Sequence, residues 1–197
     1  MEMEGQVYES EVENKINWKK EIWSWTKTFI VVILVVSIVR GFFFTNYIVY
    51  GQSMMPTIED GERIIVNKIG YEMNEPDRFD LIIFHATQDT DYIKRVIGLP
   101  GDTIEYKDDV LYVNDVAVRE EFLASHRDAY TTGLFTENFT LESVTGSSIV
   151  PEDHVFVLGD NRRNSIDSRH IGFVEFKEIV GKANLAYWPP KNLRIFN

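Results

Sequence analysis

Thr103-Ile104-Glu105-Tyr106, Lys107-Asp108-Asp109, Val110-Leu111-Tyr112-Val113, Asn114-Asp115 and Val116-Ala117-Val118 follow one another without a break, and this run decides the fold class. Short β-branched and aromatic segments alternate with clusters of turn formers, and Asn114-Asp115 is a two-residue hairpin turn between alternating strands. The same grammar extends outward. Asn46–Tyr50, Glu62–Asn67, Asp80–Phe84 and Tyr92–Ile97 on one side, and Val155–Leu158 and Lys182–Trp188 on the other, read as strands. Glu59-Asp60-Gly61 and Leu99-Pro100-Gly101-Asp102 punctuate them. After Phe44 no long stretch has helical periodicity, so the expectation is a mainly β domain, an antiparallel barrel or sandwich. Arg119–Val150 is polar and weakly patterned and reads as loop, with an incidental sequon at Asn138-Phe139-Thr140.

Ahead of the β region the character changes. Residues 1–14 are polar, with five glutamates from Glu2 to Glu13; Lys15, Lys19 and Lys20 follow. Thr28–Val39 is uncharged, and Ile22–Phe44 is interrupted only by Lys27 and Arg40. About 23 residues of helix reach roughly 34 Å, enough for a hydrocarbon core of about 30 Å. Lys27 and Arg40 stand near the ends, where long side chains snorkel, and Trp18, Trp23 and Trp25 before and Phe42–Phe44 and Tyr47 after suit the two interfaces. A buried core helix or a cleaved signal peptide would compete for this segment. The bulky Arg40-Gly41-Phe42-Phe43-Phe44-Thr45 argues against cleavage there. The expected organisation is a cytoplasmic tail over 1–21, a transmembrane anchor over 22–44 and an extracytoplasmic domain over 45–197. Lysines before the anchor set the orientation, with the N-terminus cytoplasmic in a single-pass protein of the plasma membrane.

Composition narrows the chemistry. The chain has 197 residues, a formal net charge of -11 and no cysteine. Thiol nucleophiles, disulfides and Cys-ligated metals are thereby excluded, and no metal or cofactor is expected. An acidic chain without a basic cluster is no general nucleic-acid binder.

Three segments carry candidate chemistry. Gly51-Gln52-Ser53-Met54-Met55-Pro56-Thr57 holds Ser53 on a constrained turn, as a plain turn residue or as a nucleophile. In Asp91-Tyr92-Ile93-Lys94-Arg95-Val96-Ile97 strand alternation puts Lys94 on the face of Tyr92 and Val96. It is either a surface lysine or a buried one, neutral enough to take a proton from a serine. Gly159-Asp160-Asn161-Arg162-Arg163-Asn164-Ser165-Ile166-Asp167-Ser168-Arg169 is a dense polar run after an apolar strand. It is a solvated loop, or one fixed by an Asp167–Arg169 pair with Ser165 bonded to a neighbour. The four histidines, His85, His126, His154 and His170, are scattered, and no G-x-S-x-G elbow is present.

In this order behind one N-terminal anchor, the three segments, with Gly61–Lys68 (G-E-R-I-I-V-N-K), resemble the bacterial type I signal peptidases, in the small single-anchor form of Gram-positive enzymes. The resemblance implies a Ser/Lys-dyad serine endopeptidase with Ser53 as nucleophile and Lys94 as general base. Ser165 would orient the lysine, and Asp167 and Arg169 would form the structural pair beneath the site. It implies signal-peptide-bearing preproteins as substrates, cut after Ala-x-Ala-type small residues at the membrane surface. Some family members carry a serine two residues before the nucleophile that helps bind the oxyanion; here that position is Gly51, leaving main-chain donors, chiefly the Ser53 N–H.

Overall fold

The computed structural model describes residues 18–68 and 75–196. The acidic tail expected at the N-terminus lies, through residue 17, outside the described residues. Helix α1 spans Trp18–Phe43. Its stretch Trp18–Ile38 has a mean hydropathy of 1.6 and is long and apolar enough to cross a membrane. Two of its hydroxyls are absorbed by the helix itself, Thr26 Oγ1 donating to the Ile22 carbonyl and Thr28 Oγ1 to that of Ser24.

From Gly41 onward the chain forms a separate compact unit. Its strands are β1 (Phe44–Ile48), β2 (Arg63–Asn67), β3 (Leu81–Thr87), β4 (Thr90–Gly98), β5 (Ile104–Lys107), β6 (Val110–Val113), β7 (Val116–Val118), β8 (Phe139–Thr140), β9 (His154–Leu158), β10 (Val174–Glu175), β11 (Ile179–Trp188) and β12 (Arg194–Ile195). Every pairing among the described residues is antiparallel. The large sheet runs β1-β2-β11-β3-β4-β9-β10 with β12 on β11, and the small one β7-β6-β5-β8. The architecture is mainly β in two sheets, and among the described residues no ladder joins the ends of the large one.

The small sheet follows from its turns. Asn114 and Asp115 both have positive φ (51° and 63°), as do Asp108 and Asp109 (52° and 64°). Val113 therefore pairs with Val116 and Lys107 with Val110. Two left-handed residues in succession match the twist of the flanking strands, and Asn and Asp tolerate that conformation. Alternation then sends Ile104, Tyr106, Leu111 and Val113 into one cluster with Phe156 and Leu158 of β9. In the large sheet β3 is buried on both faces. Leu81 and Ile83 join Ile64, Val66 and Ala183, whereas Ile82 and Phe84 join Val96, Val155 and Val157.

Arg119–Val150, expected as loop, holds α2 (Ala124–Ala129), β8 and α3 (Leu141–Thr145). These elements are too short for hydrophobic periodicity to show. The first strand also begins two residues before its expected start at Asn46, and the last long one before Lys182. A further helix, α4 (Ser168–Ile171), follows the polar run and is capped by the Asp167 side chain, which accepts from the Arg169 N–H.

Candidate active site

Ser53 sits on the turn that follows β1. The turn is anchored from beneath by Met54 and Ile58, 1% and 0% exposed in the core. Gly51, at φ 91°, donates its N–H to Asp60 Oδ1 (2.7 Å), and Met55 N–H closes on the Gln52 carbonyl (3.1 Å). With its neighbour buried, the serine cannot drift.

Lys94 lies on β4, whose pairing opposite Ile82 of β3 fixes its height. Its side chain is buried, and Nζ donates to Ser53 Oγ and to the Ile93 carbonyl, both at 2.9 Å. Nζ also stands 4.9 Å over the Tyr92 ring. Burial disfavours the ammonium and takes the amine from 10.5 down to about 8, while the charges of Asp167 and Asp160 pull the other way.

The loop from Gly159 to Arg169 locks serine and lysine together. Arg95, next to Lys94, donates Nε to Asp160 Oδ1 (2.9 Å) and Nη2 to Asp160 Oδ2 (2.6 Å), both residues buried. Asn161, next to Asp160, donates its N–H to the Ser53 carbonyl (2.9 Å) and Nδ2 to that of Gln52 (3.0 Å). The two arms of the dyad are thus joined through their sequence neighbours. Gly159 belongs to this joint: a Cβ there would come 2.2 Å from Ser165 Oγ and 2.6 Å from the Ser53 carbonyl oxygen.

Asp167, fully buried, accepts from Arg169 Nε and Nη2 (2.8 Å each) and from the Gly159 N–H (3.0 Å). Burial alone would raise its carboxyl, but the Arg169 fork and the amide prevail and hold it below the usual carboxylate range. Arg169 Nη2 reaches on to the Arg162 carbonyl (2.8 Å). Ser165 Oγ is buried beside Gly159 and closes no hydrogen bond among the described residues, to Lys94 or otherwise, although its nearness to Asp167 favours the ionised carboxylate.

Ser53 and Lys94 open on a cleft of about 550 Å³ between Tyr47–Ser53 and Asp89–Lys94, floored by Ile64 and Ile83. Both walls present strand edges. Among the described residues β1 pairs only with β2, and β9 covers β4 only from Arg95 onward. Across the cleft Tyr47 OH donates to Asp91 Oδ2 (2.9 Å), and His85 Nδ1 meets Asp91 Oδ1 at 2.6 Å. Burial, then the bond to Asp91 and its charge, raise the Tyr47 phenol to about 12.

The structure brings Ser53, Lys94, Asp167 and Arg169 into one connected assembly, with Ser165 packed against it. Sequence pattern does not single out Arg95, Asp160 and Asn161, which build the frame, or Tyr47, His85 and Asp91 at the cleft rim. Their partners are 44 to 109 residues distant, beyond the reach of any local pattern. His85 and Asp91 are the exception, six residues apart and opposite in the β3–β4 hairpin.

Comparison with known proteins agrees on one kinship. The family described as "Signal peptidase, peptidase S26" matches residues 22–188. A signal peptidase I from Bacillus caldolyticus is 52% identical over 169 residues, covering 86% of this chain and 91% of that protein. A signal peptidase IB from Staphylococcus aureus (strain COL) is 41% identical over 175 residues, covering 87% and 92%. Among solved structures, a signal peptidase I from Enterococcus faecalis V583 aligns with a TM-score of 0.53 at 45% identity, covering 55% of this chain and 97% of that one.

Proposed function

The chain belongs to the signal peptidase family, peptidase S26, and is a serine endopeptidase that removes signal peptides; from that premise we propose that Ser53 is its nucleophile and Lys94 its general base. The observation that carries this reading is the 2.9 Å contact between a buried amine and a turn-held hydroxyl. A neutral Lys94 accepts the Ser53 proton as Oγ attacks the scissile carbonyl, and the resulting ammonium then protonates the leaving amine. The Ser53 N–H, with no partner among the described residues, is the first donor to the oxyanion. Asp167 and Arg169 hold the loop beneath. Ser165, a buried hydroxyl beside it, is the acceptor toward which the lysine turns once protonated.

An extended preprotein segment fits between the free edges of β1 and β4 as an added strand, its alternate side chains facing the same wall. Val49, Ile83 and Ile93 are among the apolar residues lining that cleft, and their bulk supports a preference for small residues one and three before the cut, the Ala-x-Ala pattern. Lys15, Lys19 and Lys20 ahead of the anchor over 22–44 support an orientation with residues 1–21 in the cytoplasm and 45–197 outside. Exposed Ile48, Tyr50, Trp188, Leu193 and Ile195 suit a domain working against lipid.

The experiment is labelling with a serine-directed acylating probe. Wild type labels, and both Ser53→Ala and Lys94→Ala lose the label; a Ser53→Ala variant that still labels sinks the assignment. A His/Asp base has one observation in its favour, the His85–Asp91 pair, but that pair has no bond to Ser53.

A further inference from the structure

Arg162 belongs to the Gly159–Arg169 loop but takes no part in the chemistry above, and its guanidinium is fully buried. It ends among groups from three other parts of the chain. Nη2 donates to Glu120 Oε1 (2.6 Å), and Nη1 to the Tyr106 hydroxyl (2.8 Å). Nη1 lies 3.4 Å from both Thr136 Oγ1 and Glu120 Oε2. Tyr106 OH in turn donates to Glu120 Oε1 (2.7 Å). Tyr106, Glu120, Thr136 and Arg162 are 1–2% exposed. On its near side Arg162 is tied into the loop that holds the dyad. Nε donates to the Gly159 carbonyl (3.1 Å), its N–H to the Asp160 carbonyl (3.0 Å), and its own carbonyl accepts from Arg169 (2.8 Å).

A buried guanidinium stays where its counter-charge is, because moving away would leave it unpaired in a medium that cannot solvate it. Glu120 is that counter-charge. The short path from it runs through Arg162 to Gly159 and Asp160, then to Asn161 on the Ser53 carbonyl and to Arg95 beside Lys94. We propose that Glu120, supported by Tyr106 and acting through Arg162, is a positioning residue for the Ser53–Lys94 pair. The inference rests on the dyad reading of the site. It gives the segment after β7, featureless in sequence, a part in catalysis.

The test separates positioning from plain stability. Glu120→Ala alone should destabilise the domain by stranding Arg162. The decisive variant is Glu120→Leu with Arg162→Met, since replacing a buried ion pair by packed apolar residues often restores stability. With the melting temperature near wild type, kcat on a precursor peptide should still be down about tenfold or more with KM little changed. The acidic limb of kcat/KM should also move to lower pH as Asp160 and Asp167 recede from Lys94. Recovery of wild-type kcat together with stability overturns the proposal. If the double variant fails to fold, Tyr106→Phe decides: a roughly threefold or larger loss of kcat at unchanged KM supports it, and wild-type kcat overturns it. Ser53→Ala run in parallel keeps the two readings apart. Activity in that variant removes the dyad itself, whereas an inactive Ser53→Ala variant beside fully active Glu120 and Tyr106 variants removes only the role given to Glu120.

Discussion

Lys94 is a residue asked to be buried, cationic by default and neutral when needed, and each demand has a measurable side. Ser53→Ala and Lys94→Ala should each lower precursor cleavage by at least about 10³-fold while the domain stays folded, because neither removes a large apolar group. Circular dichroism alongside single-turnover kinetics checks both. The acidic limb of kcat/KM should fall at about pH 8, where the buried amine loses its proton. Replacing His85, His126, His154 and His170 one at a time should leave it there; a limb that moves with one of them would make that imidazole the base. The same burial sets a stability signature. Below pH 8 lysine is protonated folded and unfolded, and the folded state bears the net cost of the buried charge, desolvation less the attraction of Asp167 and Asp160, about 3 kcal/mol. Between pH 8 and 10.5 the unfolded chain binds the extra proton, so stability attributable to Lys94 rises with pH and the cost is gone above that window. Lys94→Met should therefore be more stable than wild type at pH 7, with the gap closing by about pH 10.5 in denaturant titrations. This much was legible in sequence, since alternation placed Lys94 between Tyr92 and Val96. Arg95 and Asp160 were not, because which strand meets which loop is a property of the tertiary fold.

Among the elements, the loop after β9 is the one whose small changes should be felt most at the dyad. Gly159→Ala introduces a carbon where Ser165 Oγ and the Ser53 carbonyl already stand at 2.2 and 2.6 Å. One of them must yield, so kcat should drop about 10- to 100-fold with about 1–3 kcal/mol of stability lost. Asp167→Ala strands Arg169, frees the Gly159 N–H and uncaps α4. It should cost about 3–5 kcal/mol and activity together. A variant melting like wild type yet inactive would instead make Asp167 a direct participant in the reaction. The hairpins of the small sheet were readable because turn chemistry is local: Asn114-Asp115 announces its own φ angles. The segment after β7 was opaque for the opposite reason. Its helices have five or six residues, and the environment of Glu120 and Thr136 is made by Arg162, and for Glu120 also Tyr106, arriving from elsewhere. One local sign was available there, Thr140 and Ser143 in a reciprocal cap with Gly146 at φ 78° closing the helix.

For the whole molecule, the buried clusters among the described residues draw on Val49 to Phe196, so a chain beginning at Phe44 should fold by itself. It should cleave a short soluble peptide with a kcat near that of the full chain, yet lose efficiency on a precursor embedded in vesicles, where the anchor supplies effective concentration. Equal efficiency of both chains on vesicle-borne precursor would remove the anchor from the mechanism. The margin of β1 that is unpaired among the described residues carries one more consequence. Natural sheets blunt such margins with proline, charge or cover, and Phe44-Thr45-Asn46-Tyr47-Ile48 has neither proline nor charge. A groove that binds the main chain of its guest, and reads side chains only beside the cut, gains little selectivity from that edge against its own kind. Freed of its anchor and concentrated, the domain should stick margin to margin, giving a colloidal rather than a conformational instability. Light scattering should register that growth, and acylating Ser53 with a strand-shaped occupant should suppress it.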